Sequence, residues 1–100
     1  MMKKLGNILM EMYPDKIPVM IHYIDNINKK KFIYKYLIDQ NEKISKIRQI
    51  IIKDLKFKDP FMIGSSSPKI IFIAETFIKD IYQKYHNPED ECLHIEIFKI

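Results

Sequence analysis

Three histidines (His22, His86, His94), one cysteine (Cys92), the carboxylate run Glu89-Asp90-Glu91 and the stretch Gly64-Ser65-Ser66-Ser67 are the groups of this 100-residue chain that could do covalent or metal chemistry. The histidines have no cysteine or carboxylate partner at metal-ligand spacing, so each reads as a surface or strand residue. Cys92 is a nucleophile in principle, but no base or oxyanion hole is identifiable beside it. Three consecutive carboxylates in a turn read as a solvated cluster, and the Gly64 stretch lacks the glycine-lysine pattern of a phosphate loop. No constellation argues for catalysis. The sequence therefore reads as a non-enzyme that needs no cofactor and no metal.

The chemistry that the residues do support is backbone pairing. Phe32-Ile33-Tyr34-Lys35-Tyr36-Leu37-Ile38 is aromatic and β-branched, free of glycine and proline, and runs into the polar break Asp39-Gln40-Asn41. Such side chains fit a pleated, half-buried surface, so the stretch reads as a strand. We expect it at a sheet edge, as a rail on which a peptide of another protein docks. A homodimer partner capping the same edge is the alternative. Lys29-Lys30-Lys31 is the tight basic cluster beside it and reads as a solvated hairpin loop. With the formal net charge of +4 it also admits a small nucleic-acid-binding domain, the less favoured reading.

The elements that must position this strand follow from composition and period. At 47% hydrophobic and 30% charged, with two glycines, the chain is expected to form one domain over residues 1–100. A chain of this length can hide roughly two-thirds of its unfolded surface, enough for one core. A single cysteine excludes an intrachain disulfide and fits a reducing compartment. Met1-Met2-Lys3-Lys4 opens like a signal peptide, but Gly6-Asn7 and Glu11 interrupt the apolar run. No stretch approaches the ~18–20 apolar residues of a membrane span, and a soluble, cytoplasmic domain is expected. The abundance of isoleucine and lysine points to an AT-rich coding genome, such as that of a virus or protist.

Leu5, Ile8, Leu9 and Met12 recur at helical spacing, so residues 1–13 read as an N-terminal helix packed on the core and stopped by Pro14. Gly6 weakens that helix by ~1 kcal/mol relative to alanine, so it needs tertiary packing. Ile17–Tyr23 reads as a first strand with Pro18 near its start, and Asp25-Asn26-Ile27-Asn28 supplies turn chemistry. Ile44, Ile47, Ile51 and Leu55 mark a helix, widened by Ile50 and N-capped by Asn41. Lys58-Asp59-Pro60 ends it. Phe61–Gly64 is a short strand and Ser65–Pro68 a turn. Ala74–Tyr85 reads as a helix with Phe77, Ile78, Ile81, Tyr82 and Tyr85 inward, closed by Asn87-Pro88. Leu93, Ile95 and Ile97 alternate with polar residues in a last strand. The order predicts an α+β, β-grasp fold: a four-stranded mixed sheet with two helices, plus the N-terminal helix. The last strand would run parallel beside the first, leaving the second at the edge.

Three motifs carry a resemblance. Tyr13-Pro14-Asp15-Lys16-Ile17-Pro18-Val19, Lys35-Tyr36-Leu37 and Ile81-Tyr82-Gln83-Lys84 resemble, nearly in register, signatures of the autophagy ubiquitin-like modifiers. These are the GABARAP-type proteins, or autophagy-related protein eight family, and the resemblance covers about Leu5 to Phe98. It implies a module that binds short aromatic–x–x–aliphatic motifs of autophagy receptors or machinery as an added strand. By position, Leu9, Pro18, Met20, Lys35 and Leu37, with Cys92 as a further candidate, would line the aromatic pocket. Tyr36, Ile38, Ile47 and Ile50 would line the aliphatic one, and Lys16, Lys30, Lys31 and Lys35 would tune the preference for acidic flanks. Backbone groups of Lys35 and Leu37 would pair with the ligand.

The departures are equally specific. The family attaches a lipid to a C-terminal glycine, whereas this sequence ends Glu96-Ile97-Phe98-Lys99-Ile100, so no covalent lipid is expected. Asp39 and Glu42 stand where the family has proline and leucine, which makes the aliphatic pocket more polar. Two family arginines fall at Ile52 and Asp54, and the family's first N-terminal helix has no counterpart. A divergent, non-lipidated member acting as adaptor or competitor in autophagy is the expectation.

Overall fold

The computed structural model describes residues 3–66 and 69–100. Its order is α1 (Leu5–Met12), β1 (Lys16–Asp25), β2 (Lys30–Asp39), α2 (Ile44–Lys53), β3 (Phe61–Ser66), β4 (Lys69–Ile71), α3 (Ile78–Tyr85) and β5 (Leu93–Lys99). The strands form one mixed sheet in the order β2-β1-β5-β3-β4, with β5 parallel to β1 and β2 at the edge. The α+β, β-grasp expectation holds. The sheet has a fifth, three-residue strand, because β3 runs on through Ser65 and Ser66 and pairs with β4. Those two serines are therefore strand rather than turn, while Ser67 and Pro68 lie outside the described residues.

The hairpin follows from local chemistry. The Asp25 carboxylate accepts from the Ile27 and Asn28 N–H groups at 3.0 and 3.3 Å, and Lys29 takes a left-handed φ of 56°. That turn sets ten consecutive pairs, from Asp25 opposite Lys30 to Lys16 opposite Asp39. Only Lys29 of the basic cluster is in the turn; Lys30 and Lys31 belong to β2.

Strand alternation divides the sheet into two faces. Ile17, Val19, Ile21, Ile38, Leu93, Ile95 and Ile97 pack against Ile44, Ile47 and Ile51 of α2 and Ile78 and Ile81 of α3 in the main core. On the other face Pro18, Met20 and Cys92 are also buried, on the side where α1 crosses β1. No described helix is long and apolar enough to cross a membrane.

The helix marked by Ile44, Ile47, Ile51 and Leu55 stops short of Lys58-Asp59-Pro60: α2 ends at Lys53, and Leu55 lies outside it, just before Lys56 takes a left-handed φ of 55°. Three further helix expectations are corrected. Within α1 only Gly6 is buried, Leu9 is half-buried, and Leu5, Ile8 and Met12 are exposed, so the apolar stripe is not a core stripe. The reason is a close approach: the Gly6 N–H donates to the Asp90 carbonyl at 2.7 Å, and a Cβ there would overlap the Glu91 carbonyl. The helix rests on its glycine. Secondly, α2 is capped not by Asn41 but by backbone: Lys43 is its N-cap, and the Ile44 and Ser45 N–H groups donate to the Thr76 and Ala74 carbonyls, each at 3.0 Å. That use of Ala74–Thr76 makes the third correction, since α3 begins at Ile78 and Phe77 is exposed. At its far end α3 closes with an extended His86, and the left-handed residue of the following loop is Glu91, not Asn87.

Candidate functional site

The β2 edge is open, and one hydrogen bond fixes which of its backbone groups face outward. The Gln40 N–H donates to the Asp15 carbonyl at 2.9 Å, so this pair starts the hydrogen-bonded phase of the hairpin. Antiparallel pairs alternate, which makes Ile17–Ile38, Val19–Tyr36 and Ile21–Tyr34 the bonded pairs. Ile33, Lys35 and Leu37 fall in the other phase, and their N–H and C=O groups point away from β1. Pro18, which has no N–H to give, sits opposite Leu37 in that same phase, so the ladder loses nothing.

The residues expected at the aromatic pocket gather on the α1 face. Pro18 faces Leu37, Met20 faces Lys35 and Lys16 faces Asp39, all in pairs where side chains approach most closely. Pro18, Met20 and Cys92 are buried, Leu9 and Lys16 are half-buried, and Leu37 and Lys35 are exposed. The apolar surface left open there is small, the exposed Leu37 and the half-buried Leu9 over a closed layer of Pro18, Met20 and Cys92, with Lys35 beside Leu37 in β2. Burial, followed by the charges of Asp90 and Glu91, pushes the Cys92 thiol up to about 11, although Lys35 pulls the other way. Cys92 thus stays a protonated thiol at neutral pH, a wall rather than a nucleophile.

The other set lies on the core face. Ile38 and Ile47 are closed in the core, whereas Tyr36 and Ile50 are half-buried against it and face the edge. Burial raises the Tyr36 phenol above its ordinary range, with the nearby Asp54 and Tyr34 adding to the effect. Asp54 therefore places negative charge near this end. The open backbone of Ile33, Lys35 and Leu37 runs between the two groups of residues.

One arrangement was not visible in the sequence. His22 Nε2 and His94 Nδ1 are 2.8 Å apart, and His94 Nε2 is 2.6 Å from Asp90 Oδ2. Asp90 also accepts from the Cys92 N–H at 2.9 Å through its other oxygen, and its carbonyl holds Gly6. The Tyr82 hydroxyl donates to the Glu91 carbonyl at 2.8 Å, while the Glu91 carboxylate meets His86 at 3.1 Å and Lys4 at 3.6 Å. Of the expected solvated carboxylate cluster Glu89 is exposed, whereas Asp90 and Glu91 are instead the half-buried seat of α1. The sequence signal for it is that strand alternation puts His22 and His94 on the same face of neighbouring strands, where the β1–β5 register sets them two residues apart, with His94 opposite Met20 and His22 opposite Glu96.

By sequence the chain matches no protein-family model and no curated protein. By structure it is similar to the crystal structure of ATG8 from Trypanosoma brucei, with a TM-score of 0.71 at 14% identity. The superposition covers 95% of this chain and 84% of that one. This establishes an ATG8-like, ubiquitin-like fold.

Proposed function

We propose that this chain is a peptide-docking module of the autophagy-modifier type, working in the cytoplasm as an adaptor or a competitor for autophagy receptors or machinery. The ligand is an aromatic–x–x–aliphatic segment that adds to β2 as a further strand. The observation that carries this reading is the open β2 edge, with the free backbone groups of Ile33, Lys35 and Leu37 running between small apolar patches, the exposed Leu37 on one face and the half-buried Tyr36 and Ile50 on the other. The ATG8-like fold supports it. Backbone pairing sets register, and the patches select side chains.

Magnitudes assign the roles. An aromatic anchor burying ~150–250 Å² at ~25 cal/mol/Å² gains up to ~4–6 kcal/mol before entropy costs. A carboxylate at exposed Lys35 adds ~0–1 kcal/mol. Titrating a labelled acidic aromatic–x–x–aliphatic peptide tests the proposal. Saturable binding should weaken roughly ten-fold or more in Leu37→Arg, which puts a charge at the patch rim. Absence of binding to several such peptides, or equal binding by the variant, rejects the docking mode.

The exposure of Phe32 and Ile33 favours a second reading, in which β2 pairs with the β2 of another copy. Lys30, Lys31 and Lys35 on the same strand oppose it, because like charges would meet across the pair. Sedimentation across a concentration series separates the two.

A further inference from the structure

The two flanks of α2 differ. With Ile44, Ile47 and Ile51 facing the core, helical geometry puts Ile50 on the β2 side and Arg48 with Ile52 on the β3 side. On that β3 side a cavity of about 600 Å³ opens between α2, the connection leading out of it and the start of β3. Its floor is apolar: Phe57 and Phe61 meet edge to face with ring centres 5.2 Å apart, and the half-exposed Ile52 forms a wall.

Its rim is cationic. Arg48, Lys56 and Lys58 stand around it, and among the described residues no carboxylate pairs with any of them. The carboxylate that does line the cavity, Asp59, is held by Lys99 at 3.1 Å. The Arg48 guanidinium is fixed in place, 4.7 Å from the centre of the Phe61 ring and donating to the Phe61 carbonyl at 3.4 Å. Its remaining N–H donors are available to an incoming anion.

We propose that this cavity is a second peptide-docking site, which takes an acidic segment bearing one aromatic or branched apolar side chain. The apolar floor takes the side chain and the three unpaired cations take the flanking carboxylates. A single-stranded nucleic acid fits less well. Base stacking needs an open ring face, whereas Phe61 is buried with Arg48 over it and Phe57 meets it at 81°. Because α2 stands between this site and the β2 edge, two segments of one partner can occupy both.

The experiment is a titration of the ¹⁵N-labelled chain with acetyl-Glu-Glu-Phe-Glu-Glu-amide. This peptide has a single apolar residue and so does not satisfy the aromatic–x–x–aliphatic spacing. We expect saturable shifts at Ile52, Phe57, Lys58 and Phe61, with affinity about ten-fold lower in Lys56→Glu/Lys58→Glu. Both changes are at exposed positions, and the unperturbed remainder of the spectrum verifies the fold. The proposal is overturned if those residues do not move, or if the lysine-flanked analogue moves them equally. It is also overturned if oligo-dT binds there more tightly than the peptide, which would make the cavity a nucleic-acid site. Shifts confined to Lys35 and Leu37 would refute the second site and leave the β2 reading standing. Failure of aromatic–x–x–aliphatic peptides at β2 bears on that reading alone.

Discussion

Gly6 ties α1 to the loop before β5, His22 reaches the same loop through His94 and Asp90, and each makes a prediction. A Cβ on Gly6 would lie 2.7 Å from the Asp90 carbonyl oxygen as well as overlapping that of Glu91, and both are backbone atoms with little room to move. Gly6→Ala should therefore cost stability, by about 1–3 kcal/mol as an overpacked contact, although alanine is the better helix former. Denaturant unfolding checks the sign: a more stable variant would show that α1 is not seated on its glycine. His22 concerns pH. Burial, then the neighbouring His94 and Lys31, hold its imidazole below the ordinary value of 6.5, while Glu96 and Asp90 pull weakly the other way. The folded chain then binds fewer protons here than the unfolded one. The resulting stability is complete above pH 6.5 and is lost as pH falls through the folded value. The melting temperature should drop as pH falls from about 7.5 through 6.5 and below, and His22→Gln should flatten that drop. An identical profile in the variant would assign the acid sensitivity to other groups.

Elements show where the sequence was legible. The β1–β2 hairpin, α2 and β5 were readable because a period of two or 3.6 residues and a nearby turn signal agreed, as with Asp25–Asn28 and with Leu93, Ile95 and Ile97. Period failed at α1, whose Leu5, Ile8 and Met12 repeat correctly yet stay exposed, because a repeat does not reveal how much surface waits opposite it. It failed again at Ala74–Phe77, where the Ala74 and Thr76 carbonyls serve α2 in place of a helix of their own. The edge position of β2 was legible from element order, and the docking residues came from resemblance. The Asp90–His94–His22 chain was not legible, since it joins three segments distant in sequence. The backbone cap of α2 has a measurable consequence. First-turn amides of a helix ordinarily lack partners and exchange quickly. Those of Ile44 and Ser45 should exchange as slowly as amides within α2. Hydrogen exchange by NMR reads this directly, and fast exchange at both would mean that the Ala74–Thr76 segment is not docked in solution.

At the scale of the molecule the sheet has two edges, and they are managed differently. The β4 edge is only three residues long, too short to recruit another chain strongly. The β2 edge is ten residues long and exposes Phe32, Ile33 and Leu37, a liability unless something prevents self-pairing. Lys30, Lys31 and Lys35 on β2, with Lys29 in the turn, supply that protection, and the net charge of +4 adds a general repulsion between copies. On the docking mode proposed above, the same lysines would attract a peptide with acidic flanks, so one set of charges would admit the ligand and refuse the copy. Replacing Lys30 and Lys31 with glutamine should therefore do two things together. It should promote concentration-dependent association, visible by sedimentation velocity, and slow the binding of an acidic aromatic–x–x–aliphatic peptide more than it speeds release. Added salt should have the same pair of effects on the unmodified chain, because screening acts on both repulsion and attraction. A variant that stays monomeric while peptide association is unchanged would show that neither function of the edge depends on its charge.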